Sequence, residues 1–354
     1  TIQYDSLGRK IFESYPNAAS PNGTSYEYDV LDRVTKVSQP IAVAPFSVFK
    51  SFRFDSDTDV VVTDERGNQT TLLYRAYGSP ENKVLERIDS PENIRTAMTH
   101  NDLMQVTSVV QGIPVGADGV DGYFKNYGYD TNYFLSSLDT SETGLTIFGR
   151  DEVGNLISKQ VGTSPVTTYQ YDGQNRPIFT DHVNAADDVT TLYDANGNVE
   201  QVSNAESTRT YTYDENDNLI NESIQIGVDN YTIGYALNGL DHFTTVTYPT
   251  GRVVAYNPDV FGRPTSVGQH VTNVTYHPSG EPSTMAYAND QTTTILLDER
   301  RFISSIQAGI NSSTVFLDYA YDYAGNITSI NDRTAQGSLS TCGYDGVNLS
   351  LIHI

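Results

Sequence analysis

The chain has 354 residues, 38% hydrophobic and 18% charged, which is enough apolar material to fold; no like-charge run or low-complexity tract marks disorder. Its 44 acidic residues against 21 basic ones give a net charge of −23, which argues against sequence-independent binding to nucleic acid or to anionic membrane surfaces. One cysteine, Cys342, excludes an intrachain disulfide, and no segment approaches the roughly 18 uninterrupted apolar residues of a membrane helix.

Taken in order, the chain restates one unit. Tyr4-Asp5 with Gly8-Arg9 and Tyr28-Asp29 with Asp32-Arg33 are two copies, 24 residues apart. An irregular stretch near 40–60 follows, in which Pro40 and Pro45 bracket an Ile-Ala-Val-Ala run. The alternation of Phe46 and Val48, then Phe52 and Phe54, predicts a strand with one half-buried face. Asp64 to Asn68, with Gly67, resumes the unit, and Thr99 to Val106 is a worn copy with His100-Asn101 in place of Tyr-Asp. Residues 111–122 carry Pro114 and four glycines and read as a loop insertion, after which Tyr129-Asp130 restores the frame.

The frame is clearest in RDEVGN (Asp151, Gly154), YDGQNR (Tyr171, Asp172), YDANGN (Tyr193, Asp194, Gly197) and YDENDN (Tyr213, Asp214), whose aspartates lie 21, 22 and 20 residues apart. Farther on, Gly234 to Phe243 shows Ala236 where Asp is expected, and Asn257 to Pro264 keeps Asp259, Gly262 and Arg263. Tyr276 to Pro282 keeps Tyr276 and places Gly280 near the turn. Asp298, then Tyr321, Asp322 and Gly325, then Tyr344-Asp345 continue at steps of 24 and 23.

Each residue type suits a chain reversal. The aromatic ends an incoming strand, the aspartate accepts a hydrogen bond from the N–H two residues on, and Gly or Asn three residues later tolerates positive φ. The following Asn or Arg starts the outgoing strand. About twenty residues then hold two strands and two turns, so one unit is one β-hairpin. Apolar residues recur five and eight positions after the aspartate, as Val34 and Val37 or Ile327 and Ile330. On a regular strand these would face opposite ways, so either both faces are partly covered or the unit carries a bulge. About sixteen hairpins edge to edge would make a ribbon on the order of 150 Å long, which twist and exposed apolar surface force to coil.

This YD-x-x-G-N/R frame, together with Tyr248 to Val267, resembles the Rhs or YD-repeat family, which includes polymorphic-toxin shells, Tc-toxin cocoon components and the teneurin YD shell. The resemblance implies an all-β, antiparallel hairpin ribbon coiled into a partial hollow shell. It also implies a structural, non-enzymatic role in a secreted or cell-surface bacterial protein, with an enclosed C-terminal effector polypeptide and further repeats of the same parent chain as partners. The family's autoproteolytic segment has no counterpart here before Tyr344-Asp345. The expected organisation is a single array over 1–348, cut from something longer, with Leu349 to Ile354 read as a sequencing-adapter scar.

No reaction is visible in the residues. The histidines His100, His182, His242, His270, His277 and His353 are scattered and do not make a zinc set. Asp55, Asp57 and Asp59, or Asp214, Asn216 and Asn218, alternate like the head of a calcium loop. Val60 stands at the glycine position of the first, and Arg66 and Gln225 stand where the bidentate glutamate belongs. The carboxylates that could be paired for glycoside hydrolysis sit in the repeated turn slot, and Cys342 reads as a semi-buried free thiol. No catalytic, metal or cofactor residue is therefore assigned. A surface adhesion or glycan-binding array is the alternative, with tyrosines stacking on sugars, and a β-propeller enzyme would need converging acids. One further expectation is that an acidic wall favours basic cargo.

Overall fold

The computed structural model describes residues 1–16, 22–41, 47–76, 83–116, 119–310, 314–334 and 337–346, and the backbone of 350–353. Pro45, Phe46, Leu349 and Ile354 lie outside the described residues. The fold is all-β: short strands joined by reversals, with three-residue 3-10 turns at Pro91–Asn93 and Ala185–Asp187. Strands pair antiparallel with their neighbours in sequence, as Gly23–Tyr28 with Val34–Pro40 and Ser207–Tyr213 with Leu219–Ile226. The ladders do not close into a barrel.

The chain divides into two compact units. Thr1–Thr99, Val110–Gly122 and His270–Ile354 form the first, and His100–Val109 with Tyr123–Gln269 form the second. Within the first, hairpins remote in sequence meet. Arg66 Nη1 donates to the Asp345 carbonyl at 2.8 Å and Nη2 to that of Tyr344 at 3.0 Å, 279 and 278 residues away, and the Gly346 N–H donates to Glu92 Oε1 at 2.9 Å. Arg301 likewise donates to the Pro16 carbonyl at 2.6 Å, 285 residues away. The ribbon therefore returns on itself inside this unit.

Register settles the choice left open by the apolar spacing. Tyr28 pairs with Val34, but Glu27 pairs with Lys36, so Thr35 is an extra residue and the strand is bulged. Val34 and Val37 thereby lie on one face, opposite Tyr28 and Tyr26. The same shift recurs at Tyr129/Leu135, Tyr193/Val199, Tyr213/Leu219 and Tyr321/Ile327. Residues 111–115 and 119–122 are strand, not the expected loop. They continue two long strands, Val106–Val115 and Gly119–Tyr129. Gly112 and Gly122 face each other so closely there that a Cβ on either would strike the other's backbone. Of the irregular stretch, Ser47–Phe54 form a strand in which Val48 is buried.

The sheet is one layer thick. Among the described apolar residues only Val48, Val60, Val61, Val254 and Val274 are buried, and no large side chain is fully enclosed. The accessible surface is 21349 Å², against about 14,000 Å² for a compact monomer of this mass. Packing alone therefore does little to hold the hairpins, which makes the polar bonding between them decisive.

Candidate functional site

The recurring site is the reversal itself. At Asp5 the carboxylate Oδ1 accepts the N–H groups of Leu7 and Arg9 at 2.9 and 3.0 Å, while Oδ2 accepts Arg9 Nε at 2.7 Å. At Asp214, Oδ1 takes Asn216 and Asn218 N–H, both at 2.9 Å, and Oδ2 takes Asn218 Nδ2 at 3.2 Å. The backbone closes the loop twice, with Gly8 N–H on Asp5 O and Asp5 N–H on Arg9 O. The third residue after the aspartate has positive φ, from 61° at Asp32 to 98° at Gly197. Asn or Arg at the fourth position thus does more than begin a strand: its side chain holds the second carboxylate oxygen.

In several copies that same fourth residue joins its turn to the next. Arg9 Nη1 reaches Asp32 Oδ1 at 2.7 Å, Asn155 Nδ2 reaches Asn175 Oδ1 at 2.9 Å, and Asn198 Nδ2 reaches Asp217 Oδ1 at 2.7 Å. In each case the acceptor is the positive-φ residue of the following turn. Where the fourth residue is a ring, the following positive-φ residue is glycine and the ring occupies the space of the missing Cβ. A Cβ on Gly154 would lie 2.8 Å from Phe134, one on Gly325 2.8 Å from Phe302, and one on Gly262 2.9 Å from His242. A ring on glycine and a donor on Asp or Asn are two versions of one contact.

The tyrosine has a second task beyond packing. The ladder between successive hairpins stops short of the turn; Gln201–Thr210, for example, is the last pair on that side of Val199. The Tyr213 hydroxyl donates to the Val199 carbonyl at 2.9 Å across this gap. Tyr28 on Lys10, Tyr129 on Val106, Tyr171 on Leu156, Tyr193 on Pro177 and Tyr321 on Ile303 do the same at 2.7–2.9 Å. The acceptor is always the fifth residue after the preceding turn's Asp or Asn. Arg150, which replaces tyrosine, donates through Nε to Leu135 O at 3.0 Å and does the same work.

These bonds set the charge state. Backbone N–H donation from Arg9, Arg176 and Asn218 holds Asp5, Asp172 and Asp214 below the usual carboxylate range. At Asp259 the Arg263 guanidinium leads the same effect. For Asp151 and Asp194 desolvation is the largest single influence and pushes upward, but the hydrogen bonds together outweigh it.

The predicted turn aspartates fall in this frame with one correction, apart from Asp345, whose following residues 347–349 lie outside the described residues. The aspartate slot of Gly234 to Phe243 is Asn238, whose Oδ1 accepts Leu240 and His242 N–H, and Ala236 is two residues earlier in the strand. Sequence reading missed two further turns, Tyr248–Arg252 and Tyr287–Gln291, because tyrosine occupies the aspartate slot; Gly251 and Asp290 at positive φ are the remaining signal. Tyr344 and Asp345 serve as the carbonyl acceptors of Arg66. Asp55 is paired with Arg53 at 2.7 Å. No group of three His, Cys, Asp or Glu among the described residues is placed to hold a metal. Cys342 is a half-buried free thiol. A hydrogen bond to Glu222 pushes Tyr235 up to about 12.

In the second unit the tyrosine face between residues 123 and 213 is not acidic. Register puts Lys125, Arg150, Lys159 and Arg209 on the face that carries Tyr127, Tyr129, Tyr169, Tyr171, Tyr211 and Tyr213. The other face carries Thr, Ser, Asn and Gln with Asp139 and Asp181, interspersed with Leu145, Ile147, Phe179 and Leu192. The carboxylates are concentrated in the reversals instead, because that is where the motif needs them.

A single-layer ribbon of antiparallel hairpins, each stitched to the next through an Asp-led turn, defines a repeat-built β wall. Residues 193–223 match the RHS Repeat family. The same bonding frame recurs at turns on both sides of that match. The chain's fold is similar to that of a solved TcdB2-TccC3-Cdc42 structure, with a TM-score of 0.81 and 14% identity over 99% of this chain. It is also similar to TcdB2-TccC3 without its hypervariable C-terminal region, with a TM-score of 0.80 and 15% identity. A Photorhabdus luminescens Tc holotoxin pore with a mutated TccC3 gives 0.73 at 15% identity. The chain spans 21% of the length of each of these chains. No curated protein matches it in sequence.

Proposed function

We propose that this chain is a wall segment of an Rhs-type toxin shell, structural and not catalytic, whose parent protein encloses an effector polypeptide and is secreted or displayed at a bacterial cell surface. The observation that carries the reading is the likeness over 99% of the chain to TcdB2-TccC3 structures. The return of the ribbon on itself at Arg66 supports it, since a wall must contact its own earlier course to confine anything. Containment acts by exclusion: a hydrogen-bonded sheet one layer thick keeps proteases and solvent-borne partners from a polypeptide behind it.

The test is protease protection in a longer parent chain that contains this segment. The effector region should survive a protease dose that digests the same region expressed alone, and should become cleavable when the wall is opened with denaturant. Equal digestion of the two forms would overturn the containment reading. The position of residues 349–354 as an appended scar is a separate proposal, checked by sequencing the source locus across Asn348.

A further inference from the structure

The tyrosine face of the second unit, between residues 123 and 213, has a composition unlike the rest of this acidic chain. In strand register it presents Lys125, Arg150, Lys159 and Arg209 against one carboxylate, Glu222, which lies across the ladder from Tyr211 and accepts the Tyr235 hydroxyl at 2.6 Å; Glu200 occupies a bulge outside the alternation, and Asp229 lies one strand farther on. Arg150 is committed to the Leu135 and Gly154 carbonyls. Lys125, Lys159 and Arg209 are exposed and have no hydrogen-bond or ion-pair partner among the described residues. Other arginines of the chain are engaged, including Arg9, Arg33, Arg176 and Arg263 with carboxylates at 2.6–2.7 Å. Three unpaired cations on an aromatic and aliphatic floor are thus a local departure that the turn chemistry does not require.

We propose that this face docks unfolded polypeptide rich in carboxylate and aromatic side chains. The inference rests on the containment reading for why a polypeptide would be present, and it reverses the polarity that net charge alone suggests for the cargo. The cations supply charge complementarity to acidic side chains. An open cavity of about 220 Å³ lined by Arg209, Tyr211, Glu222, Tyr231 and Ile233 has room for a single aromatic group and is smaller than a typical drug-sized ligand site; Glu222 there is held by the Tyr235 hydroxyl, so the acidic side chains are taken by the cations and the cavity takes the ring. Single-stranded nucleic acid is the other polyanion with flat rings, but it needs projecting aromatics for base stacking. Here the Tyr129, Tyr171, Tyr193 and Tyr213 rings are half-buried and fixed by their hydroxyl bonds, and the projecting Tyr123 is a single ring where a strand of bases needs a series. The net charge of −23 also repels a long polyanion more than a short acidic segment.

The test uses the whole chain and fluorescent random copolymers as probes, followed by anisotropy. Poly(Glu,Tyr) should bind more tightly than poly(Lys,Tyr), and binding should weaken as salt is raised. Lys125→Gln/Lys159→Gln/Arg209→Gln should weaken poly(Glu,Tyr) binding by about tenfold. Asp139→Asn/Asp181→Asn on the other face should leave it unchanged. Tighter binding of poly(Lys,Tyr), tighter binding of an oligo(dT) strand, or an unaltered triple variant would each overturn the proposal. All three cations are exposed, so the triple variant should fold, and an unchanged circular dichroism spectrum verifies this. Because the probes report on the face alone, a protected effector in the parent chain with no copolymer binding would sink this inference and spare containment; copolymer binding with an unprotected effector would do the reverse.

Discussion

Replacing Tyr213 by Phe removes one oxygen and leaves the ring, so it isolates the hydroxyl bond to the Val199 carbonyl from packing. That carbonyl lies beyond the last ladder pair, Gln201–Thr210, and the phenol supplies a donor where the neighbouring strand has none. A typical net hydrogen bond contributes about 0.5–1.5 kcal/mol, more where the abandoned acceptor is shut off from water. We expect about 1 kcal/mol for Tyr213→Phe and about 3 kcal/mol for Tyr171→Phe/Tyr193→Phe/Tyr213→Phe, since neighbouring repeats contribute nearly additively. Tyr211 is the control. It lies on the same strand and face, and its hydroxyl has no partner among the described residues, so Tyr211→Phe should stay within about 0.5 kcal/mol. Urea titrations followed by far-ultraviolet circular dichroism give the differences, read as shifts in midpoint at constant slope. A triple variant as stable as the parent, or a Tyr211→Phe loss equal to that of Tyr213→Phe, refutes the bridging role and returns the motif tyrosine to simple packing.

Four other outcomes follow from the same geometry. Gly325→Asp should destabilise by about 2 kcal/mol or more, because its Cβ meets the Phe302 ring and its φ of 92° is strained for a non-glycine residue. Phe302→Asn/Gly325→Asp, which converts the ring-on-glycine contact to the donor-on-acid form, should recover most of that loss in a double-mutant cycle. Asp5, Asp172 and Asp214 are held low in the folded state, so their contribution is complete above the unfolded carboxylate pKa, near 4, and is lost as pH falls through the lower folded values. Urea midpoints should be flat from about pH 6 to 5 and drop below about pH 4, and Asp172→Asn should make that drop shallower. Tyr133→Gly should stabilise by about 0.5–1 kcal/mol by relieving a non-glycine residue at φ 64°. Arg66→Ala should speed amide exchange in Leu339–Tyr344 while leaving Gly23–Tyr28 unchanged, and Arg66→Lys should rescue little because one ammonium cannot match the guanidinium's forked contact with two carbonyls.

Much of the hairpin architecture is legible in the sequence because the turn spends specific residue types at fixed offsets. Asp at the first position, a positive-φ residue at the fourth and a polar donor at the fifth each satisfy a local backbone need, so any one copy predicts the others. What is not legible is whatever depends on the adjacent hairpin. The bulge after Val34 changes which residues share a face without changing a letter of the motif. The tyrosine hydroxyl finds its acceptor 14 residues back in one copy and 23 in another, so no fixed spacing reveals it, although recurrence of Tyr over Phe in that slot was a usable sign. Residues 111–122 look like a loop because glycine and proline usually break strands. Here two glycines let opposing backbones approach, and the composition misleads for a physical reason.

The location of charge follows from the same reasoning and changes what the wall can do. A net −23 invites the idea of an acidic surface, yet turn carboxylates such as Asp5, Asp172 and Asp259 are spoken for, each holding backbone N–H groups and an arginine. A carboxylate that already accepts three hydrogen bonds has little capacity left for a passing cation, whereas Lys125, Lys159 and Arg209 have full capacity for an anion. Formal charge therefore overstates the acidity that a ligand would meet and hides the only basic face identified in the second unit. If neutralising those three cations left the salt dependence of copolymer binding unchanged, the field of the whole chain would be governing recognition after all, and the distinction between committed and free charge would have no functional weight here.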